Sequence, residues 1–173
     1  MDVPFSIPYN GAEQCKIGQR CLQRKKGRRM EQERAEHLLL AAWATALIAT
    51  LGSLYFSEVL GYIPCDLCWF QRIFMYPQVI ILGIAIVRKD AAAARYSFTL
   101  SLIGGGISLY HYGLQKIPLL QEYAISCGRI PCTGQYINWL GFITIPFLAF
   151  TAFMIIILLS WTVMRQQRKE SER

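Results

Sequence analysis

The sequence predicts an all-α fold: a polytopic membrane protein built as a four-transmembrane-helix bundle, with N and C termini cytoplasmic. Three observations predict it. Of the 173 residues, 54% are hydrophobic, a composition that fits a small polytopic protein better than a soluble domain. The apolar residues gather into four runs long enough to cross a bilayer. The formal charge of +7 is concentrated at the two ends and in one short connection between runs, the distribution expected of cytoplasmic flanks.

Residues 1–36 differ from the rest. They open with Pro and Gly, continue into Arg24-Lys25-Lys26-Gly27-Arg28-Arg29 and show no apolar periodicity, so a disordered basic cytoplasmic arm is expected. No nucleic-acid-binding signature accompanies the charge, and nucleic acid is not an expected partner. Met30 begins a polar helix start that leads directly into the first apolar run, and residues 1–29 are expected to be an upstream start extension.

A membrane domain is expected over 37–165. Its first span covers about 38–56 and is closed by Glu58 and Gly61; the run is too long for a cleaved signal core, and further spans follow. The second covers about 69–87, the third about 96–114 and the fourth about 139–164. Trp139 and Trp161 bracket the fourth by about 33 Å at about 1.5 Å per residue, near the separation of two aromatic belts. Arg34, the trio Arg88, Lys89 and Arg95, and the basic tail over 166–173 mark the cytoplasmic side. The connections at about 57–68 and 115–138 carry only Lys116 and Arg129, which assigns them to the outside. Pro77 and Pro146 are expected to kink their helices or to leave backbone carbonyls for neighbours to satisfy. Gly104-Gly105-Gly106 invites close approach by another helix.

The chemistry concentrates in Pro64-Cys65-Asp66-Leu67-Cys68-Trp69-Phe70-Gln71-Arg72. Two thiols separated by two residues can close a small disulfide. At the start of a helix and near a cation, a thiol is biased toward thiolate. Arg72 follows Cys68 by four positions, one helical turn on the same face; snorkelling toward the headgroups is the structural alternative for the same side chain. A second close pair, Cys127 and Cys132, stands in the other outer connection, with Gly128 and Pro131 supplying turn geometry. Two dithiol pairs on one face of a membrane can pass a disulfide between them by thiolate attack.

Two structural disulfides stapling the loops would use the same cysteines. A zinc site is the third reading; an oxidising compartment disfavours free thiolates, so no metal is expected. His111, between Tyr110 and Tyr112 near the outer end of span three, is suited to hydrogen-bonding a quinone carbonyl or simply to an interfacial hydrogen bond. His37 reads as an interface residue, and Cys15 and Cys21 have no assigned role.

In the Cys65–Arg72 stretch, in the following Phe74-Met75-Tyr76-Pro77, in the histidine of span three and in the Cys127/Cys132 loop before span four, the chain resembles the DsbB-type thiol oxidases, most of all their Gram-positive BdbC branch. The resemblance covers about residues 31–165. It implies a thiol:quinone oxidoreductase of the bacterial cell membrane that reoxidises an extracytoplasmic thioredoxin-like, DsbA-type partner and passes two electrons to menaquinone or ubiquinone. It further implies that the partner attacks at Cys127, that Cys132 is released to attack Cys65, and that Cys68 is freed facing the quinone beside Arg72, with His111 in the quinone pocket. One departure from the Gram-negative pattern is the short spacing of Cys127 and Cys132, which leaves the interloop step less slack. The alternatives are a vitamin K epoxide reductase-like quinone reductase, whose cysteine order differs, and a non-catalytic anchor or assembly protein with structural disulfides.

Overall fold

In a computed structural model of the chain, the described backbone covers residues 11–117 and 144–171, with side chains described within 30–117 and 144–169. Cys127, Cys132 and Trp139 lie outside the described residues. The chain divides into a unit over Met1–Arg34 and a unit over Ala35–Arg173.

All the regular structure among the described residues is helical. Helix α1 runs over Gly11–Leu54 and passes into a π-helical turn at Tyr55–Val59; α2 covers Asp66–Arg88, a 3-10 turn covers Ala91–Ala93, α3 covers Ala94–Lys116, and α4 covers Ile145–Ser171. The start of α1 differs from expectation: the basic arm is helical from Gly11. Its Gln, Glu, Lys, Arg and Ala residues are good helix formers, and intrinsic propensity outweighs the lack of an apolar face.

Three of these helices are long and apolar enough to cross a membrane, over Met30–Val59, Asp66–Arg88 and Ile145–Lys169. Helix α3 equals α2 at 23 residues but carries more polar side chains, and these are turned inward: Ser97, Ser101, Ser108 and His111 are fully buried. Large apolar side chains are instead exposed, among them Ile48 at 71% and Val87 at 84%. That inversion is what a lipid solvent permits and water penalises.

The core joins Leu39, Ala42 and Ala46 of α1, Met75 and Leu82 of α2, Ala94 of α3, and Phe153, Ile156 and Val163 of α4. Helix α3 packs most extensively on α4 and next on α2. At Gly104 a side-chain carbon would collide with the ring of Phe153, whereas Gly106 faces open space. The glycine run therefore serves helix packing, and one glycine carries that role.

Several buried polar groups are paired across the helices. Gln78 Oε1 accepts hydrogen bonds from Ser97 Oγ at 2.9 Å and Ser101 Oγ at 3.0 Å, and its Nε2 donates to the Phe74 carbonyl at 3.1 Å. That last bond gives a side-chain donor to the Phe74 carbonyl, next to the Ile73 carbonyl that Pro77, having no N–H, leaves without its helical donor. Trp43 Nε1 likewise ties α1 to α2 by donating to the Val79 carbonyl at 3.1 Å.

Two short connections fix the ends of α2. After it, Lys89 adopts a left-handed conformation, φ 53°, that stops the helix, and Asp90 accepts a hydrogen bond from Ala92 N at 2.9 Å to start the next turn, as an N-cap aspartate does. Before it, Gly61 takes φ 66°, which only glycine adopts without strain. The turn it makes brings Pro64 and Cys65 back against the bundle.

Candidate redox site

Helix α2 begins at Asp66, and Cys65 is its N-cap residue, with φ −73° and ψ 170°. This places Cys65 just before the helix and Cys68 in its first turn. Both are free thiols, and their sulfurs are 3.3 Å apart. Cys65 is buried and Cys68 half-buried.

The surroundings of the two sulfurs differ. Cys65 Sγ lies 3.7 Å from His111 Nε2 of α3, and the other ring nitrogen, Nδ1, is 3.0 Å from Gln71 Nε2 of α2. All three side chains are buried. With Gln71 donating to Nδ1, the imidazole proton sits on Nε2 and points at the Cys65 sulfur. The Cys65 thiol is pushed down from its ordinary 9.0 to about 4. The largest cause is a hydrogen bond from the Cys68 side chain to the Cys65 thiolate; burial opposes it, and His111 adds to it chiefly through a hydrogen bond. Charge-assisted bonds to the ionised form favour that form.

Cys68 faces elsewhere. It lines a cavity of about 540 Å³ together with Arg72, Gln71 and Tyr76 of α2, Ser53 at the end of α1, Phe56 in the π-helical turn that follows, and apolar residues of α4. The expected turn between Cys68 and Arg72 is present, since both lie within α2. Arg72 is held in place: Nη2 donates to the Ser53 carbonyl at 3.2 Å, and the guanidinium carbon is 5.5 Å from the centre of the Trp69 ring. The size falls within the range of small-molecule pockets, and a mostly apolar wall with a few polar groups has their usual character. Tyr76 adds a buried hydroxyl that has no hydrogen-bond partner among the described residues. These residues fit a flat, apolar-tailed dicarbonyl such as a quinone.

The structure thus brings together four of the six site residues named from the sequence: Cys65, Cys68, Arg72 and His111. It sets His111 against Cys65, and the histidine is not among the residues lining the cavity. Gln71, to which the sequence reading gave no role, touches both environments. Its signal was available, because an uncharged polar residue in the first turns of an apolar span usually has a buried partner.

A cysteine pair at the mouth of a helix fit to cross a membrane, an arginine one turn on and a buried histidine from another helix suit thiol–disulfide chemistry. The comparison of the whole chain agrees: the family model for disulfide bond formation protein DsbB matches residues 34–163. The chain belongs to the DsbB family. A probable disulfide formation protein C of Halalkalibacterium halodurans is 58% identical over 135 residues, which covers 78% of this chain and 98% of that relative. The disulfide bond formation protein C of Bacillus subtilis is 54% identical over 120 residues, 69% of this chain and 87% of the relative. A probable disulfide formation protein of Oceanobacillus iheyensis is 45% identical, covering 80% and 97% of the two chains. No solved structure matches the chain significantly. As a DsbB-family chain with three helices fit to cross a membrane, this is a multi-pass membrane protein.

Proposed function

We propose that this DsbB-family member is a thiol:quinone oxidoreductase that reoxidises the dithiol of an extracytoplasmic, thioredoxin-like partner of the DsbA type and delivers two electrons to a membrane quinone. One observation carries the reading. The Cys65/Cys68 pair stands between a buried histidine on one side and an arginine-bearing apolar cavity on the other, so one sulfur faces protein and the other faces a ligand-sized space.

In this reading the chain spans the cell membrane four times, with α3 as the third span, both termini cytoplasmic and both cysteine loops outside. A partner thiolate attacks Cys127 of the Cys127–Cys132 disulfide, forming a mixed disulfide and releasing Cys132 as thiolate. The partner's second thiolate then displaces Cys127, which leaves the partner oxidised. Cys132 attacks Cys65 of the Cys65–Cys68 disulfide and frees Cys68 as thiolate beside Arg72; attack by Cys127 on Cys132 returns the outer disulfide and leaves Cys65 and Cys68 holding the two electrons.

Each thiolate has its own support. Arg72 opposes the charge on Cys68 in a poorly hydrated site, where a cation and an anion interact more strongly than in water. His111 directs its Nε2 proton at Cys65, and Gln71 keeps that proton on Nε2 by donating to Nδ1. Cys68, Arg72 and Tyr76 would hold the quinone, which when bound supplies a sink for two electrons and two protons.

The test is Cys68→Ser, with quinone reduction by the reduced partner measured in purified membranes. Turnover falls to background if the reading is right, and unchanged turnover overturns it.

A further inference from the structure

The ligand atoms of Cys65, Cys68 and His111 all lie within 4.8 Å of one another. We propose that these three side chains form a site for a thiophilic divalent cation of the Zn²⁺ and Cd²⁺ class, open only while the cysteine pair is reduced.

Geometry is the first argument. A tetrahedral ion with bonds of about 2.3 Å to sulfur and about 2.0–2.1 Å to nitrogen separates its ligand atoms by roughly 3.5–3.8 Å. The sulfurs stand 3.3 Å apart, and Cys65 Sγ is 3.7 Å from His111 Nε2. These two separations need shifts of a few tenths of an ångström, and the third, from Cys68 to His111, starts within 4.8 Å and closes by turning a side chain. Three protein ligands leave a fourth position open, which is the pattern of an accessible rather than a purely structural site.

The surroundings supply a second argument. A metal-binding histidine is ordinarily oriented through its other ring nitrogen, and Gln71 is 3.0 Å from His111 Nδ1. Turning the Gln71 amide by half a turn presents its oxygen to an Nδ1 proton, which frees the Nε2 lone pair for the ion. Two thiolates, a neutral imidazole and a divalent cation sum to no net charge, which suits a site buried at Cys65 and His111. Cys68 also lines the cavity, so the ion has a way in.

The sequence argued against metal because an oxidising compartment removes free thiolates. A pair that cycles, however, is a dithiol for part of every turnover. Binding releases the remaining thiol protons to solvent and leaves both sulfurs coordinated. Closing the Cys65–Cys68 bond surrenders two electrons to the acceptor and removes both sulfur ligands. Occupancy is therefore gated by redox state. Resting on the oxidoreductase reading, the consequence is regulatory: a bound ion holds both nucleophiles and arrests the reduced enzyme.

Binding is measured apart from activity. Full-length protein in detergent, with Cys15, Cys21, Cys127 and Cys132 replaced by serine, is titrated with Cd²⁺ while the ultraviolet thiolate-to-cadmium band is followed. One ion per chain is expected in the reduced form and none in the disulfide form. Gln71→Leu should weaken binding by about 10- to 100-fold and His111→Ala by at least about 10-fold. The cadmium NMR shift of the parent should report two sulfurs and one nitrogen, a readout that needs no further variant to fold. Absence of stoichiometric binding, equal binding by the disulfide form, or a shift without nitrogen overturns the proposal. A wild-type chain that binds Cd²⁺ in this way but, freed of the ion by a chelator, does not turn over with quinone overturns the oxidoreductase reading and leaves the metal site standing.

Discussion

His111 Nε2 stands 3.7 Å from Cys65 Sγ although the two residues are 46 positions apart in the chain. The contact joins the N-cap of α2 to the far end of α3 and makes the first cysteine of the pair, rather than the cavity, the neighbour of the histidine. It also gives the two sulfurs different partners, His111 for Cys65 and the Arg72 side of the cavity for Cys68.

The first prediction concerns pH. The Cys65 thiol is lowered from 9.0 to about 4, so the reduced, folded chain carries a Cys65 thiolate at pH values where an unfolded chain binds the proton. The contribution to the stability of the reduced fold is full above 9.0, declines as pH falls, and is gone below about 4. In reduced protein whose other cysteines outside the pair are serine, thiolate absorbance should persist down to a midpoint near 4. Cys68→Ala should move that midpoint furthest back toward 9.0, because the Cys68 hydrogen bond is the largest cause, and His111→Ala should move it less. An ordinary thiol midpoint in the parent would refute the assignment.

Arg72 supplies the second. Its guanidinium donates to the Ser53 carbonyl and lies over the Trp69 ring, which holds the charge at the cavity wall. A hydrogen bond to a charged group contributes about 1.5–3 kcal/mol, and Arg72→Met should raise the apparent KM for quinone by about 10- to 100-fold. The KM for the protein partner should hold. Arg72→Lys keeps the charge without the planar fork and should fall between the two. Steady-state kinetics with quinone and partner varied separately decide it; a change confined to the partner KM would remove Arg72 from the cavity's function.

A third prediction tests the packing. Gly104→Ala drives a methyl group into the buried Phe153 ring, while Gly106→Ala meets open space. Overpacking costs about 1–3 kcal/mol, whereas alanine in place of an unconstrained helical glycine stabilises by about 0.4–1 kcal/mol. Thermal unfolding in detergent should therefore separate the two alanines in opposite directions. Equal midpoints would contradict the close approach of α3 and α4 at this level.

These features were legible in the sequence to very different degrees. The Cys65/Cys68 spacing, the turn between Cys68 and Arg72 and the apolar runs of α1, α2 and α4 follow from local periodicity, which a single chain displays. Helix α3 was placed within a few residues of its bounds, at 96–114 against Ala94–Lys116, even though its serines make it less apolar than the apolar runs of α1, α2 and α4. What was hidden is tertiary. The burial of Ser97 and Ser101 depends on Gln78 of another helix, and the His111–Cys65 contact depends on how α2 and α3 pack. The helical course of α1 from Gly11 was missed because charge clustering was weighed above helix propensity.

The last prediction follows from Gln71, which is 3.0 Å from His111 Nδ1 and is buried at 6% exposure. A neutral imidazole carries one proton, and the group that faces Nδ1 decides which nitrogen holds it. With the Gln71 amide donating, the proton is on Nε2, facing Cys65. Gln71→Leu removes that control and leaves an unpaired nitrogen in a buried site, so part of the histidine population turns its lone pair toward the sulfur. The thiolate midpoint of Cys65 should then rise toward 9.0, by less than in His111→Ala. Gln71→Glu should do the reverse: a carboxylate accepts a proton on Nδ1 and favours the imidazolium, which keeps a proton on Nε2 as well. The two variants titrated side by side distinguish positioning from packing, since Leu and Glu fill similar volumes. If both shift Cys65 alike, or neither does, Gln71 does not set the histidine proton.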